Sequence, residues 1–388
     1  MVDDDLPGLP APPPLGTGAL PDGTFDGDAV FVTGGGTGLG RAIAVEFARL
    51  GASIVIASRS DGHLAAGREA IEAIGADVAT VVCDIRDPAA VADSFDVAEE
   101  RFGLPRVLVN NAAANFPSPA EELSPNAWRT VVDITLNGTF LCCREFARRH
   151  LAVGTAASII NVGASYAWTG GPGFAHSAAA KAGVANMVET LAVEWGPYGI
   201  QVNGLVPGLF PHEDMTGDIR AGLDRGAPGS LDLSQPALRV GERQELGWAA
   251  TFLASPYARF VSGHTLVVDG ANWQRRTLTN PPVATVRRPL GLGPFVPEIP
   301  TVPHPSRGAP SPWSSPSASS PVSTRSHRRD SPSPSRNGAS SRYGWPSTVT
   351  SPWLAQRPGR AARFCPRCTT TPSTRSCALP RPHRSPNA

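Results

Sequence analysis

Short apolar runs alternate with longer amphipathic segments along residues 25–280 of this 388-residue chain. Apolar, β-branched runs bounded by turn residues are typical of buried parallel strands. They predict seven strands, over residues 29–33, 53–59, 78–83, 107–113, 158–162, 200–206 and 265–268. Apolar positions at helical spacing predict helices between them, over residues 41–50, 61–74, 88–102, 125–150, a stretch that ends at residue 195, and 246–254.

Strands and helices that alternate in this way form a parallel sheet that is covered on both faces. We therefore predict an α/β fold of the Rossmann type, with a doubly wound parallel sheet of about seven strands in a single domain. Ligands of such sheets bind at the carboxyl ends of the strands. The turns that follow the predicted strands are therefore where we expect the chemistry.

Both ends of the chain lack this alternation. Residues 1–24 are rich in Pro and Gly and predict a flexible segment before the domain, which spans residues 25–280. Residues 281–388 carry 15 Arg and only two acidic residues, and without a hydrophobic period they predict a disordered tail. Its charge could attract nucleic acid or membrane. Its Arg, Pro and Ser monotony also resembles a GC-rich coding region read in a shifted frame, and we expect neither partner.

Composition limits the location and the metal chemistry of the protein. No apolar run approaches the ~20 residues that span a bilayer, and the acidic start differs from the basic start of a signal peptide. We therefore expect a cytoplasmic protein. Cys83, Cys142 and Cys143 lie in apolar contexts that indicate reduced core residues. Cys365 and Cys368 have no second pair and no nearby His pair, so no metal site is predicted.

A glycine-rich loop follows the first predicted strand and leads directly into a helix. Glycines let the backbone come close to a pyrophosphate, whose charge is met by the helix N-terminus. Strand, loop and helix in this order predict a dinucleotide site, and an ordinary Gly-rich turn is the alternative. The predicted cofactor-binding residues of this unit are Gly34, Thr37, Gly38, Leu39 and Gly40.

The second predicted strand ends without the acidic residue that would hold the ribose 2′-hydroxyl of NAD. Ser58 and Arg59 stand there instead. A hydroxyl and a guanidinium attract a 2′-phosphate that an acid would repel, so this pair predicts NADP as the cofactor, unless Arg59 points to solvent. Asp84, after the third predicted strand, is a candidate partner for the adenine amino group.

Lys181 is the only lysine among the 34 Lys and Arg residues of the chain. It lies in an alanine-rich helix that follows the fifth predicted strand and a Gly-rich turn. Unlike arginine, lysine is a compact charge whose pKa its surroundings can lower. Lys181 is therefore a candidate for contact with the cofactor and for tuning a nearby hydroxyl. Chance retention on a helix surface is the alternative.

Four motifs together resemble the short-chain dehydrogenase/reductase superfamily over residues 25 to about 275. They are the Thr-Gly-x3-Gly-Leu-Gly loop, Asn110-Asn111-Ala112, the helix with Lys181, and the Pro207-Gly208 strand exit. The resemblance implies that Asn111, Pro207 and Gly208 bind the cofactor. It also implies a homo-oligomer, usually a tetramer.

The usual catalytic signature of that superfamily is altered in this chain. Its Tyr lies four residues before the Lys, and a Ser lies thirteen residues before that Tyr. Here these two positions hold Ser177 and Ala164. Either the protein is an inactive relative, or the working hydroxyl comes from another position.

A closer resemblance is to mitochondrial-type 2,4-dienoyl-CoA reductases. It rests on residues 34–40, 56–59, 110–116, 123–128, 133–139, 177 and 180–183. In that family the active Tyr lies fifteen residues before the Lys, which here is Tyr166. The resemblance gives Tyr166 two partners, Asn137 from the long helix and Ser177. We assign substrate contacts to Asn115, Phe116, Trp168 and Phe174, although the three aromatic residues could instead pack the core.

The reaction of that family explains the altered signature. It is the NADPH-dependent reduction of a 2,4-dienoyl-CoA or related enoyl-CoA thioester in fatty-acid oxidation. Hydride adds at the far end of the conjugated system, and negative charge collects on the thioester oxygen, which needs hydrogen-bond donors. The resemblance implies that Tyr166 and Asn137 are these donors. It further implies that Lys181 binds the nicotinamide ribose and that Ser177 orients Lys181 or the carboxamide, while water can protonate carbon.

Two other functions would use the same cofactor site. A ketone or alcohol reductase would need a hydroxyl at position 164 and a Tyr at position 177, and both are absent. A non-catalytic NADP-binding sensor would not need the four candidate catalytic residues together. Ala114, His176 and the loop over residues 209–238 depart from the dienoyl reductase pattern, and the loop leaves the acyl chain length open.

Overall fold

The structure, a computed structural model, describes residues 9–212, 215 and 235–274. The predicted tail, Cys365, Cys368 and most of the loop over residues 209–238 lie outside the described residues. The described part contains one seven-stranded sheet in which all neighbouring strands are parallel. The strands are β1 (Ala29–Thr33), β2 (Ser53–Ser58), β3 (Val78–Val82), β4 (Val107–Asn110), β5 (Ala157–Val162), β6 (Ile200–Pro207) and β7 (Thr265–Val268).

Helices connect successive strands and cover the sheet. The α-helices of the described residues are α1 (Gly38–Arg49), α2 (Asp61–Glu72), α3 (Pro88–Phe102), α4 (Pro125–Val132), α5 (Gly138–Val153), α6 (Tyr166–Thr169), α7 (Ala175–Trp195) and α8 (Arg243–Ala254). Side chains cap the N-termini of several of these helices. Ser60 caps α2, Asp87 caps α3 and Ser124 caps α4, each by accepting a backbone N–H of the first turn.

The strand order is β3-β2-β1-β4-β5-β6-β7, so the direction of winding reverses between β1 and β4. This order confirms the predicted doubly wound parallel sheet. Thr33 of β1 pairs in register with Asn110 of β4, which pairs with Asn161 of β5. The carboxyl ends of the three central strands therefore meet at the point of reversal, where ligands of such folds bind.

Two apolar cores lie on the two faces of the sheet. Val30 and Val32 of β1 belong to one core, while Phe31 between them belongs to the other. On that second face Phe31 stacks on Phe95 of α3, with ring centroids 4.5 Å apart. Because helices bury both faces, the strands appear in the sequence as continuous apolar runs and not as alternating ones.

The long helix predicted over residues 125–150 is interrupted. Between α4 and α5 the chain forms a π-helical turn, Asp133–Asn137. Within it, Thr135 Oγ1 accepts the backbone N–H of Ala114 at 3.2 Å and so attaches the segment after β4 to this turn. A Cβ at Gly138 would lie 2.6 Å from Ile85, so the helix can approach the segment after β3 this closely only with glycine. Hydrophobic spacing alone does not distinguish this turn from a continuous α-helix.

Part of the segment predicted to be flexible contacts the domain. The Leu9 N–H donates to the Ala237 carbonyl at 2.9 Å, and Arg239 Nε donates to the Pro10 carbonyl at 3.1 Å. Phe25, which directly follows this segment, is fully buried. Residues 9–24 are therefore held against the domain at their start and at their end.

Among the helices of the described ranges, none combines the length and the apolar character that crossing a membrane requires.

Candidate active site

The glycine-rich loop lies at the carboxyl end of β1 and is held from behind by Asn111. Gly34 and Gly38 have φ values of +64° and +50°, which favour glycine. Asn111 Nδ2 donates to the Thr33 and Gly34 carbonyls at 3.2 Å. A Cβ at Gly40 would lie 2.4 Å from this same amide nitrogen. Asn111, which the sequence placed among the cofactor-binding residues, thus supports the loop from the side of β4.

The beginning of α1 suits an anion. Thr37 is the N-cap residue, and its side chain makes no capping hydrogen bond. No acidic residue lies in the first turn of this 12-residue helix, which contains Gly38, Leu39 and Gly40. Helix N-termini of this kind bind phosphate groups because their backbone N–H groups and their dipole face the ligand. The glycine loop and α1 therefore fit the pyrophosphate of a dinucleotide.

The residues predicted to select NADP, Ser58 and Arg59, lie at the carboxyl end of β2, and Asp84, the candidate partner of the adenine, follows β3. Arg59 is exposed, and Ser58 Oγ accepts the Ser60 N–H at 3.3 Å. Asp84 is held by Arg86, whose Nε donates to its two carboxylate oxygens at 2.9 and 3.1 Å. The hydrogen bond from Arg86 is the main cause that lowers the pKa of Asp84, and the charge of Arg59 lowers it further. The guanidinium groups of Arg86 and Arg59 thus both place positive charge near Asp84, at the carboxyl ends of β2 and β3.

The second polar cluster surrounds the hydroxyl of Tyr166. Tyr166 begins α6, and its Oη lies 3.0 Å from Ser177 Oγ of α7. Asn115 Nδ2, from the segment after β4, donates to the same Oη at 3.4 Å. The serine hydroxyl and the amide can both donate to the phenol oxygen, which leaves the phenol proton free to donate elsewhere. Burial raises the pKa of Tyr166 against the opposing effect of Ser177, so the phenol is protonated at neutral pH.

The structure places Asn137 elsewhere. Asn137 is exposed at the end of the π-helical turn, and its Nδ2 donates to Asp133 Oδ1 at 2.8 Å. The amide that reaches Tyr166 is that of Asn115, which the sequence analysis assigned to the substrate only. The signal that could have revealed it is its position five residues after the end of β4, since the carboxyl ends of β4 and β5 are neighbours.

Lys181 lies on α7 one turn after Ser177 and is 7% exposed. Its Nζ donates to the carbonyl of Val162, the last residue of β5. Burial lowers the pKa of Lys181 from 10.5 to about 8. The single lysine is therefore a buried group at the carboxyl end of the sheet, and the surface position considered as an alternative is excluded.

A stability measurement tests this burial. Between pH 8 and pH 10.5 the folded state loses the Lys181 proton before the unfolded state does, so the free energy of unfolding should rise with pH in that window. Relative to Lys181→Met, we expect the cofactor-free protein to gain roughly 3 kcal/mol across the window. Denaturant titrations of both proteins at several pH values measure the gain. A constant difference between them would show that Lys181 has an ordinary pKa.

The predicted aromatic residues lie around the same cluster. Phe174 stacks in parallel with Tyr166 at 6.1 Å between centroids. Phe116 packs edge-on against His176, and Trp168, which is 44% exposed, packs against Trp273 at 5.5 Å. The sequence analysis did not include Trp273. Its position five residues after the end of β7, at the carboxyl edge of the sheet, is the signal that could have indicated it.

The Pro207-Gly208 exit of β6 lies at the same edge. The Gly208 N–H donates to the carbonyl of Val268, the last residue of β7, at 2.8 Å. A Cβ at Gly208 would lie 2.5 Å from the Cβ of Asp269, so only glycine allows the two exits to lie this close. Together, the exits of β1, β4, β5, β6 and β7 surround one region of the sheet edge.

Comparisons with known proteins agree with this arrangement. A family model described as enoyl-(acyl carrier protein) reductase matches residues 34–271. A probable 2,4-dienoyl-CoA reductase [(2E)-enoyl-CoA-producing] of Bacillus subtilis (strain 168) is 39% identical over 246 residues, which cover 63% of this chain and 96% of the relative. The peroxisomal 2,4-dienoyl-CoA reductase [(3E)-enoyl-CoA-producing] of Rattus norvegicus is 41% identical over 255 residues, 64% of this chain and 84% of the relative.

Solved structures give the same result. A short-chain dehydrogenase from Bacillus anthracis is 37% identical, with a TM-score of 0.58 over 65% of this chain and 98% of that structure. A citronellol catabolism dehydrogenase of Pseudomonas aeruginosa is also 37% identical, with a TM-score of 0.57 over 66% of this chain and 99% of that structure. The family match spans more than half of the chain and includes the glycine loop, the carboxyl ends of β4 and β5, and Lys181. The chain therefore belongs to the short-chain dehydrogenase/reductase family of nicotinamide-dependent oxidoreductases.

Proposed function

We propose that the protein reduces 2,4-dienoyl-CoA or related enoyl-CoA thioesters with NADPH, as a step of fatty-acid oxidation. The observation that carries this proposal is the hydroxyl of Tyr166, which is held by Asn115 and Ser177 while position 164 has no hydroxyl. The names of the relatives from Bacillus subtilis and Rattus norvegicus support the substrate class.

The chemical requirement is stabilisation of a charge on oxygen. When bound, the nicotinamide cofactor supplies a hydride, which adds to the end of the diene remote from the thioester. The electron pair moves through the conjugated system to the thioester oxygen. With Ser177 taken as the donor in its hydrogen bond to Tyr166 Oη, and with Asn115 donating to the same oxygen, the Tyr166 O–H is available to this oxyanion, and the amide of Asn115 lies beside it. Donors fixed in advance are most effective where charge develops, because they need not reorganise during the reaction.

The remaining residues of the site have supporting roles. Ser177 holds Tyr166 through its hydroxyl, and its predicted role of orienting Lys181 or the carboxamide stays a prediction. Lys181, buried beside the end of β5, would hold the ribose of the nicotinamide and add positive potential near Tyr166. Water protonates the carbon of the resulting dienolate. An alcohol dehydrogenase must instead move a proton on and off oxygen, and the chain lacks the Ser and the Tyr that the superfamily uses for that step.

The cofactor preference is tested with the Arg59→Asp variant. Arg59 is exposed beside Ser58, and its positive charge suits a 2′-phosphate. The parent protein should bind NADPH at least about ten-fold more tightly than NADH, which corresponds to one charge-assisted contact. Arg59→Asp should remove most of this preference because a carboxylate repels the phosphate. Fluorescence titrations with both cofactors measure it, and equal affinities in the parent would exclude the proposed phosphate contact.

The reaction itself is tested by following the transferred atoms. With NADPH deuterated at the transferring position and a 2,4-dienoyl-CoA, we expect one deuterium at carbon 5 of the acyl chain and one solvent proton at carbon 2 or carbon 4. Mass spectrometry and NMR of the product identify both positions. Deuterium on the carbonyl carbon of an added ketone substrate, with no labelled enoyl product, would instead identify a ketone reductase.

Oligomeric state and compartment belong to the same proposal. A homotetramer that acts on acyl-CoA substrates is what the family resemblance implies. Some relatives are named peroxisomal and others are not, so a cytoplasmic location stays a prediction.

A further inference from the structure

His176 is the second residue of α7 and is fully buried, at 0% exposure. Its Nδ1 accepts the backbone N–H of Ser177 at 2.7 Å. A ring nitrogen that accepts a hydrogen bond carries no proton. Burial lowers the pKa of His176 more than a hydrogen bond to the Phe174 backbone raises it, which keeps the ring neutral. In the tautomer that the Ser177 contact requires, the ring proton is on Nε2.

This hydrogen bond replaces the side-chain N-cap that α7 lacks. The first N–H groups of a helix have no partner within the helix. Phe174, the N-cap residue of α7, has no side-chain oxygen and makes no capping hydrogen bond. His176 Nδ1 satisfies the Ser177 N–H instead, and so fixes the backbone of the residue whose Oγ lies 3.0 Å from Tyr166 Oη.

The ring of His176 also packs against Phe116, the neighbour in sequence of the other partner of Tyr166. His176 and Phe116 pack edge to face, with centroids 4.5 Å apart and planes at 83°. Phe116 directly follows Asn115, the residue whose amide donates to Tyr166 Oη. One buried ring thus contacts Ser177 through a hydrogen bond and the Asn115 segment through packing.

Packing stability does not explain why this ring is a histidine. Nε2 of His176 is buried and has no hydrogen-bond partner among the described residues. A buried donor without a partner costs about 1–3 kcal/mol. A phenylalanine ring could fill a similar volume against Phe116 without that cost, but it could not accept the Ser177 N–H.

We propose that His176 is a positioning residue for Tyr166. By holding Ser177 and Phe116, it fixes the two groups that donate to the phenol oxygen, and so directs the phenol proton outward. This inference rests on the proposed function, in which Tyr166 meets the charge of the thioester.

Two variants separate the ring from its acceptor. His176→Phe keeps an aromatic ring against Phe116 but removes the acceptor, while His176→Asn keeps an acceptor for the Ser177 N–H. We expect the single-turnover rate of dienoyl-CoA reduction by the NADPH-loaded enzyme to fall roughly ten-fold or more in His176→Phe, since misplaced groups cost rate steeply. The melting temperature and the affinity for NADPH should stay near those of the parent. His176→Asn should recover most of the rate.

A second measurement does not depend on the reaction. The ionisation of Tyr166 can be followed by tyrosinate absorbance, as the difference between each protein and its Tyr166→Phe counterpart. Loss of a fixed Ser177 donor should raise the pKa of Tyr166 further in His176→Phe, by about 0.5–1 unit, the value of one net hydrogen bond. His176→Asn should keep the parent pKa.

The outcomes distinguish the two proposals. A parent rate and a parent tyrosine pKa in His176→Phe would overturn the role of His176. Equal loss of rate and of melting temperature in both variants would also overturn it, because the residue would then be only structural. A parent enzyme that does not reduce dienoyl-CoA would overturn the proposed function alone, and the tyrosine titration would still decide the role of His176.

Discussion

Replacing Asn115 with alanine is expected to lower the turnover of a 2,4-dienoyl-CoA by about 10²–10³-fold, the typical loss when one donor to an oxyanion is removed. The Asn115 amide has two N–H groups: one donates to Tyr166 Oη at 3.4 Å, and in the proposed mechanism the other donates to the thioester oxygen beside it. The KM for the thioester should change less, because the carbonyl oxygen carries little charge before hydride transfer. Steady-state kinetics with saturating NADPH measure both parameters.

Asn137→Ala is the matched control for this prediction. It removes the same amide from an exposed position where it bonds to Asp133. We expect kcat within about twofold of the parent, the scale of an ordinary surface substitution. A large loss in Asn137→Ala together with an active Asn115→Ala would restore the donor role to Asn137 and contradict the site as the structure arranges it.

Replacing Tyr166 with phenylalanine should lower turnover by a similar factor, about 10²–10³-fold. Phenylalanine keeps the stacking with Phe174 and removes only the hydroxyl. Because Tyr166 and Asn115 act on one oxygen, the double variant should lose less than the product of the two single losses. The same steady-state kinetics test this.

Ser177→Ala distinguishes the hydroxyl that donates to the oxyanion, that of Tyr166, from the hydroxyl that holds Tyr166 in place. Ser177 Oγ contacts Tyr166 Oη and is itself 1% exposed as a residue, so it acts on the substrate through the tyrosine. Its loss should therefore be milder than that of the Tyr166 hydroxyl. If Ser177→Ala were inactive while Tyr166→Phe kept near-parent turnover, the assignment of the working hydroxyl to position 166 would be wrong.

The fold could be predicted from the sequence because its elements have strong local signals. Strands buried on both faces give continuous apolar runs, and the glycine loop after β1 identifies the order of strand, turn and helix. The π-helical turn Asp133–Asn137 could not be predicted, because such turns are rare single turns within α-helices and the segments on either side of it, α4 and α5, each have ordinary helical spacing.

The site could be predicted in part. Tyr166, Ser177 and Lys181 lie within sixteen residues of sequence, and their spacing survives folding because α6 and α7 carry them to one end of β5. Asn115 comes from a different strand end, so its contact with Tyr166 depends on the pairing of β4 with β5. The family resemblance assigned the donor role to Asn137 and a substrate contact to Asn115, and it is the tertiary arrangement that brings the Asn115 amide to Tyr166.

The roles of Asn111 and His176 required the structure for another reason. Both act through hydrogen bonds to backbone groups, Asn111 to the Thr33 and Gly34 carbonyls and His176 to the Ser177 N–H. The sequence shows which side chains can form such bonds, but it does not show which backbone groups lack partners. These support contacts become visible only when the N-termini of helices and the strand ends are in place.

The central claim is that this site reduces a conjugated thioester and not a ketone. The most direct test is NADPH consumption by the parent enzyme with a 2,4-dienoyl-CoA and, in parallel, with a β-ketoacyl-CoA of the same chain length. We predict consumption with the dienoyl-CoA that depends on the Tyr166 hydroxyl, and none above background with the β-ketoacyl-CoA. Consumption with the β-ketoacyl-CoA that exceeds that with the dienoyl-CoA would contradict the account.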